Sequence, residues 1–425
     1  MRSDGVHYIR LVRLARLGID GATLSSLPAG LGAAIFLVQV AIGVILFATF
    51  QEFVPNELGA RDAWSGYLLG AYGLSRFVFE TPSGAISDRI ERKLGLLVGF
   101  ASMLPAIVLM ATVQRVEAYL LFSAMLGVGT AFLWPAAYAI SADLYEHHQR
   151  GKVIGFLNLC QLLGFGTGAL SGALVVESQP GVMFVIALVA ISSAWICVLV
   201  FVPAHRSGKL FGLIEHTRRP SVWSIMTVRL AALSGLILAA TAALAMVVPA
   251  IRPYGEDVLD RSFASLTLAL TPALVLGALC FIPAGHMADR VGRSIPFIIG
   301  QALVVAGLLG VAATESLVLA VAGAFLVFVG NVFSVPAWNA AIMDLAPETH
   351  RGTLIGLTVA ISGLGLAIGP FVGGQITDQY GAPTTFRVAA GICATVGVAI
   401  WLYARAYGDH GRIVVEEVVA PAGPP

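Results

Sequence analysis

The chain has 425 residues, of which 58% are hydrophobic and only 12% are charged, and its formal net charge is +1. Soluble domains carry about 25% charged residues, whereas a mean hydropathy of +0.87 over the whole chain requires lipid around most of the surface. The near-neutral charge gives no support for nucleic-acid binding. The composition therefore indicates an all-α polytopic membrane protein.

Twelve apolar runs follow one another along the chain. A helix that crosses a bilayer needs about 20 mainly apolar residues. On this criterion we predict helices over 30–50, 65–86, 94–113, 118–141, 152–176, 180–202, 229–251, 264–286, 294–313, 316–341, 353–376 and 384–404. The predicted organisation is a basic cytoplasmic leader (1–29), a six-helix bundle (30–203), a cytoplasmic linker (204–228), a second six-helix bundle (229–405) and a cytoplasmic tail (406–425).

The distribution of Lys and Arg predicts the orientation. With the amino terminus in the cytoplasm, nineteen of these residues fall on the cytoplasmic side and five on the other, while Arg76 lies inside a helix. Because cytoplasmic loops are enriched in positive charge, we expect both termini in the cytoplasm of a bacterial-type plasma or inner membrane. Arg10, Arg13 and Arg16 suit either a short amphipathic helix on the inner leaflet or a mobile leader that only sets topology.

An internal repeat relates the two halves at a constant offset of 201 residues. Asp88 matches Asp289, and Pro135 matches Pro336, with further matches among Gly, Arg and Phe. Chance agreement among glycines does not account for this, because Asp, Arg and Pro are scarce here and match at the same offset. Six helices per half place both halves the same way up, so the repeat is parallel, with its axis along the membrane normal.

At these residues the chain resembles the major facilitator superfamily, and in particular its drug/proton antiporter-like branch, over essentially all twelve helices. The signature of that family, Gly-x-x-x-Asp-Arg-x-Gly-Arg-Lys, corresponds here to GAISDRIERK (84–93) between helices two and three. A second copy, GHMADRVGRS (285–294), lies between helices eight and nine. Glu91 and Ser294 depart from the signature. The resemblance implies a twelve-helix fold and secondary transport by alternating access.

The resemblance also implies a gate on the cytoplasmic side. A carboxylate at the membrane boundary can cap a neighbouring helix and pair with arginine, which would hold the two halves together. The gate residues expected from the two motif copies and the following helices are Gly84, Asp88, Arg89, Arg92, Asp143, Arg150, Gly285, Asp289, Arg290, Arg293, Asp344 and Arg351. For Lys93 and Lys152, a role as topology anchors is the better interpretation.

Two further features bear on the direction and the coupling of transport. The eleventh helix carries the glycine–proline pattern that family exporters place in helix five, and we expect it to bend that helix: Gly365, Gly369, Pro370, Gly373 and Gly374. Generic small-residue packing is the alternative. Proton-coupled members often have Arg in helix four at the position that Ser123 occupies here, which puts proton coupling in doubt.

Few ionisable residues lie within the predicted spans. Arg76 and Glu80 are four residues apart on helix two and share a face. They are candidates for proton or charge coupling, with a structural ion pair as the alternative. Polar and aromatic residues that could line a central cavity, or simply bridge and pack helices, are Gln39, Trp134, Tyr138, Asn158, Gln161, Asn331, Trp338 and Asn339. Glu52 and Glu57 are expected to be solvated.

The sequence as a whole favours a monomeric secondary transporter that exports a small apolar or amphiphilic compound against proton entry, without cofactor or metal. A lipid or lysolipid translocator and an uncoupled facilitator are alternatives within transport. A transporter-like sensor that binds its ligand without moving it is an alternative of another class. An enzyme is not expected, because no nucleophile, acid–base pair or metal cluster is placed in mid-membrane.

Overall fold

The computed structural model describes residues 21–89, 91–144, 147–203, 228–280, 287, 294–344 and 351–407. The predicted leader helix around Arg10, the linker and the tail lie outside the described residues. In the first half the helices are α1 (21–58), α2 (Ala63–Arg89), α3 (Arg92–Thr112), α4 (116–144), α5 (His147–Val176) and α6 (Pro180–Phe201). In the second half they are α7 (228–258), α8 (Phe263–Leu279), α9 (Ser294–Ala312), α10 (Leu317–Asp344), α11 (Arg351–Tyr380) and α12 (Ala382–Tyr407).

Most of the twelve helices have the length and composition of membrane spans. Among the described residues, ten are long and apolar enough to cross a bilayer, and α8 contributes the shorter apolar segment Phe263–Gly277. The remaining helix, α2, carries Arg76 and Glu80 within its length. The prediction of an all-α protein with twelve transmembrane helices is confirmed.

Helix pairing within the two halves follows one pattern. In the first half α1 packs against α5 and α6, α2 against α4, and α3 against α4 and α6. In the second half α7 packs against α11 and α12, α8 against α10, and α9 against α10 and α12. Each pairing recurs six helices later, which is the parallel repeat that the sequence predicts.

Glycines let the repeated helix pairs approach backbone to backbone. A Cβ added to Gly168 of α5 would lie 2.1 Å from the carbonyl oxygen of Val40 on α1. At the equivalent place in the second half, a Cβ on Gly369 of α11 would lie 2.3 Å from the carbonyl oxygen of Ala242 on α7. Three of the glycines that the sequence assigns to bending α11, namely Gly365, Gly369 and Gly373, lie on the face that packs on α7.

α1 and α7 extend farther than the sequence predicts. The predicted ends near residues 50 and 251 are wrong, because α1 continues to Leu58 and α7 to Val258. Both extensions contain π-helical turns, Val44–Phe53 in α1 and Tyr254–Val258 in α7. Such turns are rare and are often found at functional sites. Within the extensions, the side chains of Glu52, Asn56 and Arg252 are hydrogen-bonded within the protein.

The two halves meet mainly along α2 and α11, and to a lesser extent along α5 and α8. A Cβ on Gly66 of α2 would lie 2.2 Å from the carbonyl oxygen of Pro370, and one on Gly73 would lie 2.7 Å from the backbone nitrogen of Ala367. The helices therefore touch through their backbones over about two turns. We call the end of the bundle with the α1–α2 and α7–α8 connections the Arg252 end, and the opposite end the motif end.

Candidate gating and coupling sites

A buried arginine joins the two halves at the Arg252 end. Arg252 of α7 is 9% exposed. Its Nε donates to Glu52 Oε2 of α1 at 3.0 Å, Nη1 donates to Asp62 Oδ1 at 2.9 Å and Nη2 donates to Asn56 Oδ1 at 2.6 Å. Glu256, one turn along α7, lies 2.8 Å from Nη2. These five residues form the Arg252 cluster.

The cluster holds one positive charge and three carboxylates. Arg252 and Glu256 belong to the second half, whereas Glu52, Asn56 and Asp62 belong to the first. Asn56 Nδ2 also donates to Glu52 Oε1 at 2.6 Å, so both oxygens of that carboxylate are hydrogen-bonded. Charge-assisted hydrogen bonds are roughly twice as strong as neutral ones. The cluster therefore fastens one half to the other at this end.

Three other contacts between the halves lie at the Arg252 end. Arg61 Nη1 is 3.7 Å from Asp378 Oδ2. The backbone nitrogen of Ala264, in the first turn of α8, donates to Glu177 Oε1 beyond the end of α5 at 2.9 Å. Aromatic rings also meet across the interface, with a centroid separation of 5.1 Å between Phe47 and Phe263. The Arg252 end is thus closed between the halves.

The prediction that Glu52 is solvated is wrong. Its side chain is only 6% exposed, because the π-helical turns of α1 place it beside Arg252. From the distribution of positive residues, Arg252 is expected only to lie on the side opposite the cytoplasm. The available signal was Arg252 followed by Glu256 four residues later in an otherwise apolar run.

Gln51 is a second residue that sequence reasoning missed. It is fully buried next to Glu52 in the π-helical turns. Neither of its side-chain amide atoms has a hydrogen-bond partner among the described residues. A buried amide without partners costs free energy, so this turn of α1 is a local weak point beside the cluster.

The predicted coupling pair is present within α2. Arg76 Nε lies 3.6 Å from Glu80 Oε2, and the Glu80 side chain is 9% exposed. In the described part of the chain neither of these two atoms has a hydrogen-bond partner. The pair is an ion pair within one helix, and that helix packs on α11 of the other half.

Ser123 occupies the position where coupled relatives often have arginine. It is fully buried, and its Oγ donates to the carbonyl oxygen of Leu68 on α2 at 2.6 Å. Four residues later, a Cβ on Gly127 would lie 2.4 Å from the Tyr72 carbonyl oxygen. A small hydroxyl thus fastens α4 closely to α2 and adds no charge there.

The predicted cytoplasmic gate is described only in part. Arg92 is 7% exposed at the start of α3, and Lys93 Nζ donates to the carbonyl oxygen of Leu199 near the end of α6 at 2.7 Å. The helix ends place the backbones of Asp88, Arg89, Asp143, Arg150, Asp344 and Arg351 together at the motif end, with Gly84 one turn before Asp88. The side chains of these residues, and Gly285, Asp289, Arg290 and Arg293 entirely, lie outside the described residues.

The cavity candidates have different environments. Gln39 is buried where α1 meets Gly164 of α5, while Gln161 and Asn331 are half-buried and Asn158 is exposed. Trp134 packs in the core of the first half. Trp338 packs in the second half, with its ring centroid 6.3 Å from that of Phe297. The side chains of Tyr138 and Asn339 lie outside the described residues.

The family model described as Major Facilitator Superfamily matches residues 31–281 and 230–421. The chain belongs to the major facilitator superfamily. Curated relatives within the superfamily include the multidrug resistance protein MdtG of Salmonella typhimurium, which is 24% identical over 376 residues covering 84% of this chain and 91% of that protein. MdtG of Klebsiella pneumoniae is 24% identical over 366 residues, which cover 81% of this chain and 87% of that protein.

Solved superfamily structures share the fold. A bacterial homologue of the human lysosomal transporter Spinster superposes with a TM-score of 0.77 at 13% identity, covering 92% of this chain and 99% of that one. The nucleoside transporter NupG superposes with a TM-score of 0.68 at 14% identity, and the match covers 89% of this chain and 98% of that one. The superfamily membership establishes a multi-pass membrane transporter of small molecules and a fold of two six-helix bundles.

Proposed function

We propose that the protein is a secondary active exporter of a small apolar or amphiphilic compound, working by alternating access and driven by proton entry. The observation that carries this proposal is the Arg252 end, which charged and polar contacts between the halves hold closed. Hydrogen-bonded ion pairs can be broken and solvated without unfolding either half. Exchange between closure at this end and closure at the motif end would expose a central site to each side in turn.

The proposed topology follows from the positive residues. Both termini, the 204–228 linker and the motif end would face the cytoplasm, and the Arg252 end would face outside. The domain limits predicted from the sequence would then separate two bundles that move as bodies. The paired backbones of α2 and α11, in contact at Gly66 and Gly73, would be the surface along which the halves turn. The transporter would act as a monomer in a plasma or inner membrane.

The proposed cargo class rests on two observations. Several curated relatives are named for multidrug resistance, and the described spans contain few charges apart from Arg76 and Glu80. A site with little charge favours apolar or amphiphilic compounds over polyanions. Gln39, Gln161 and Asn331 would supply hydrogen bonds to polar parts of such a compound.

Coupling would be the task of Glu80. Ionisable residues within membrane spans usually serve a function, and this carboxylate is buried beside Arg76. Its position on α2, which packs on α11, would link its protonation to the interface between the halves. Ser123 favours a second candidate, an uncoupled facilitator, because the hydroxyl bonded to Leu68 brings no charge to α4.

Transport in proteoliposomes tests this proposal. With an imposed proton gradient and a panel of lipophilic cations, lysolipids and nucleosides, we expect at least one apolar or amphiphilic compound to accumulate against its own gradient. A protonophore should abolish the accumulation. Flux that ignores the proton gradient would instead establish a facilitator. A compound that binds without flux in either direction would establish a sensor and contradict transport.

A further inference from the structure

The Arg252 cluster has more negative charge than its arginine can balance. Three carboxylates, those of Glu52, Asp62 and Glu256, lie within 3.0 Å of one guanidinium. Arg252 already uses Nε and both terminal nitrogens for these contacts and for Asn56. When the halves close, like charges are therefore brought together and partly removed from water, which disfavours the fully ionised cluster.

Further acidic groups surround the cluster. Asp257 and Asp378 act on Asp62, and Glu177 acts on Glu52, each with a destabilising like charge. Among the other cations at this end, Arg61 contacts Asp378 at 3.7 Å while its own side chain is 74% exposed, and Arg261 is also exposed. An exposed ion pair of this kind contributes little free energy to the closed state. The surplus of negative charge at the closed end is therefore only weakly offset.

The three carboxylates differ in how well they can carry a proton. Glu52 accepts hydrogen bonds on both oxygens, from Arg252 and Asn56, which favour its ionised form, whereas its burial opposes ionisation. Asp62 accepts from Arg252 through Oδ1, and its side chain remains 33% exposed. Its second oxygen is therefore available for a proton. Glu256 is on the same helix as Arg252, so its contact does not join the halves.

We propose that closing the Arg252 end takes up a proton on Asp62, so that acid on that side of the membrane holds this end closed. This switch rests on the alternating access proposed above but is separate from coupling, because the proton binds and leaves on the same side. In the closed state burial raises the pKa of Asp62. The like charges of Asp257 and Asp378 raise this pKa further, and the positive charge of Arg252 lowers it. In the open state Asp62 is solvated and titrates near its ordinary value of about 3.9.

The sign of the pH dependence follows from these two states. The closed state binds the proton more tightly, so closure is favoured below the raised pKa of Asp62. Closure is lost as the pH rises through that value. The open-to-closed ratio changes tenfold for each unit by which the pKa differs between the states.

A distance measurement tests the switch without transport. Spin labels on cysteines at Gln114 and Ser316, two exposed neutral positions in the α3–α4 and α9–α10 connections, report the opening of the Arg252 end. The four native cysteines, Cys160, Cys197, Cys280 and Cys393, are replaced by alanine. In lipid nanodiscs between about pH 4 and 8, a range that brackets the upward shift from the ordinary value, we expect the long-distance fraction to rise with pH.

Two variants decide the outcome. Asp62→Asn mimics the protonated side chain and should stay closed at every pH, whereas Glu117→Gln, which removes an exposed acid at the same end, should titrate like the parent. A pH response that survives in Asp62→Asn, or an Asp62→Asn protein that is open throughout, would overturn the proposal. If Asp62→Asn does not fold, Asp257→Asn should move the midpoint to lower pH, and an unmoved midpoint counts against the switch. Labels that never separate would contradict alternating access itself.

Discussion

Replacing Arg252 by methionine is expected to open the Arg252 end. The substitution leaves three carboxylates facing one another without their cation, and Glu52 is 6% exposed. Removing one partner of a buried ion pair costs about 3–5 kcal/mol, and we take about 3 kcal/mol here because Asp62 and Glu256 are each 33% exposed. The ratio of closed to open molecules should then fall about a hundredfold. The distance between labels at Gln114 and Ser316 measures this change directly.

Arg261→Met is the matched control for this prediction. Arg261 is exposed at the same end of the bundle, so its replacement removes the same charge without touching the cluster. The control should retain the distance distribution of the parent protein. If Arg252→Met and Arg261→Met gave the same distribution of label distances at neutral pH, the cluster would not hold the halves together.

Replacing Glu80 by glutamine is expected to abolish uphill transport while sparing exchange of substrate across the membrane. Glutamine keeps the size and the hydrogen-bonding oxygen of Glu80 but cannot bind and release a proton. The carboxylate lies 3.6 Å from Arg76 and is nearly buried. Because its partner is an arginine, the pair contains no second acid that could bind the proton in its place. Accumulation driven by a proton gradient and counterflow of labelled substrate, both in proteoliposomes, separate the two activities.

Glu117→Gln serves as the control for Glu80→Gln, because it removes a carboxylate at an exposed position at the start of α4. It should transport uphill at the parental rate. Uphill accumulation that is undiminished in Glu80→Gln would exclude this residue from coupling and would leave Arg76 and Glu80 as a structural ion pair. Loss of both uphill transport and exchange would point to a damaged helix instead.

The fold was largely predictable because lipid imposes a strong pattern on sequence. Each span must satisfy its own backbone and present apolar side chains for about 20 residues, so twelve runs identify twelve helices. The constant offset between Asp88 and Asp289 then reveals the parallel repeat. The structure shows the same repeat as equivalent pairing of α1 with α5 and of α7 with α11.

The closed end could not be predicted in the same way. Glu52 and Arg252 are 200 residues apart, and neither belongs to a repeated motif. Judged from its neighbours in the sequence alone, each residue lies near a helix end, where charged residues usually face water. Their burial depends on how the two halves meet, and on the π-helical turns that extend α1 and α7 beyond the apolar runs.

Glycines in α11 illustrate an intermediate case. The sequence shows their spacing, and spacing alone fits either a bent helix or a smooth packing face. The structure places Gly369 and Gly373 against the backbone of α7, and Pro370 and Gly374 against Gly66 of α2. One helix therefore packs closely within its own half and across to the other, which a pattern in one sequence segment cannot specify.

Alternating access requires the halves to separate at the Arg252 end in every transport cycle. Cysteines in place of Arg61 and Asp378, which contact one another across the two halves at 3.7 Å, can be joined by a short cleavable thiol-reactive linker in proteoliposomes of the protein without its native cysteines. We expect flux to stop when the linker is in place and to return when it is cleaved, while each single-cysteine variant keeps its flux. Undiminished flux through the cross-linked protein would contradict alternating access.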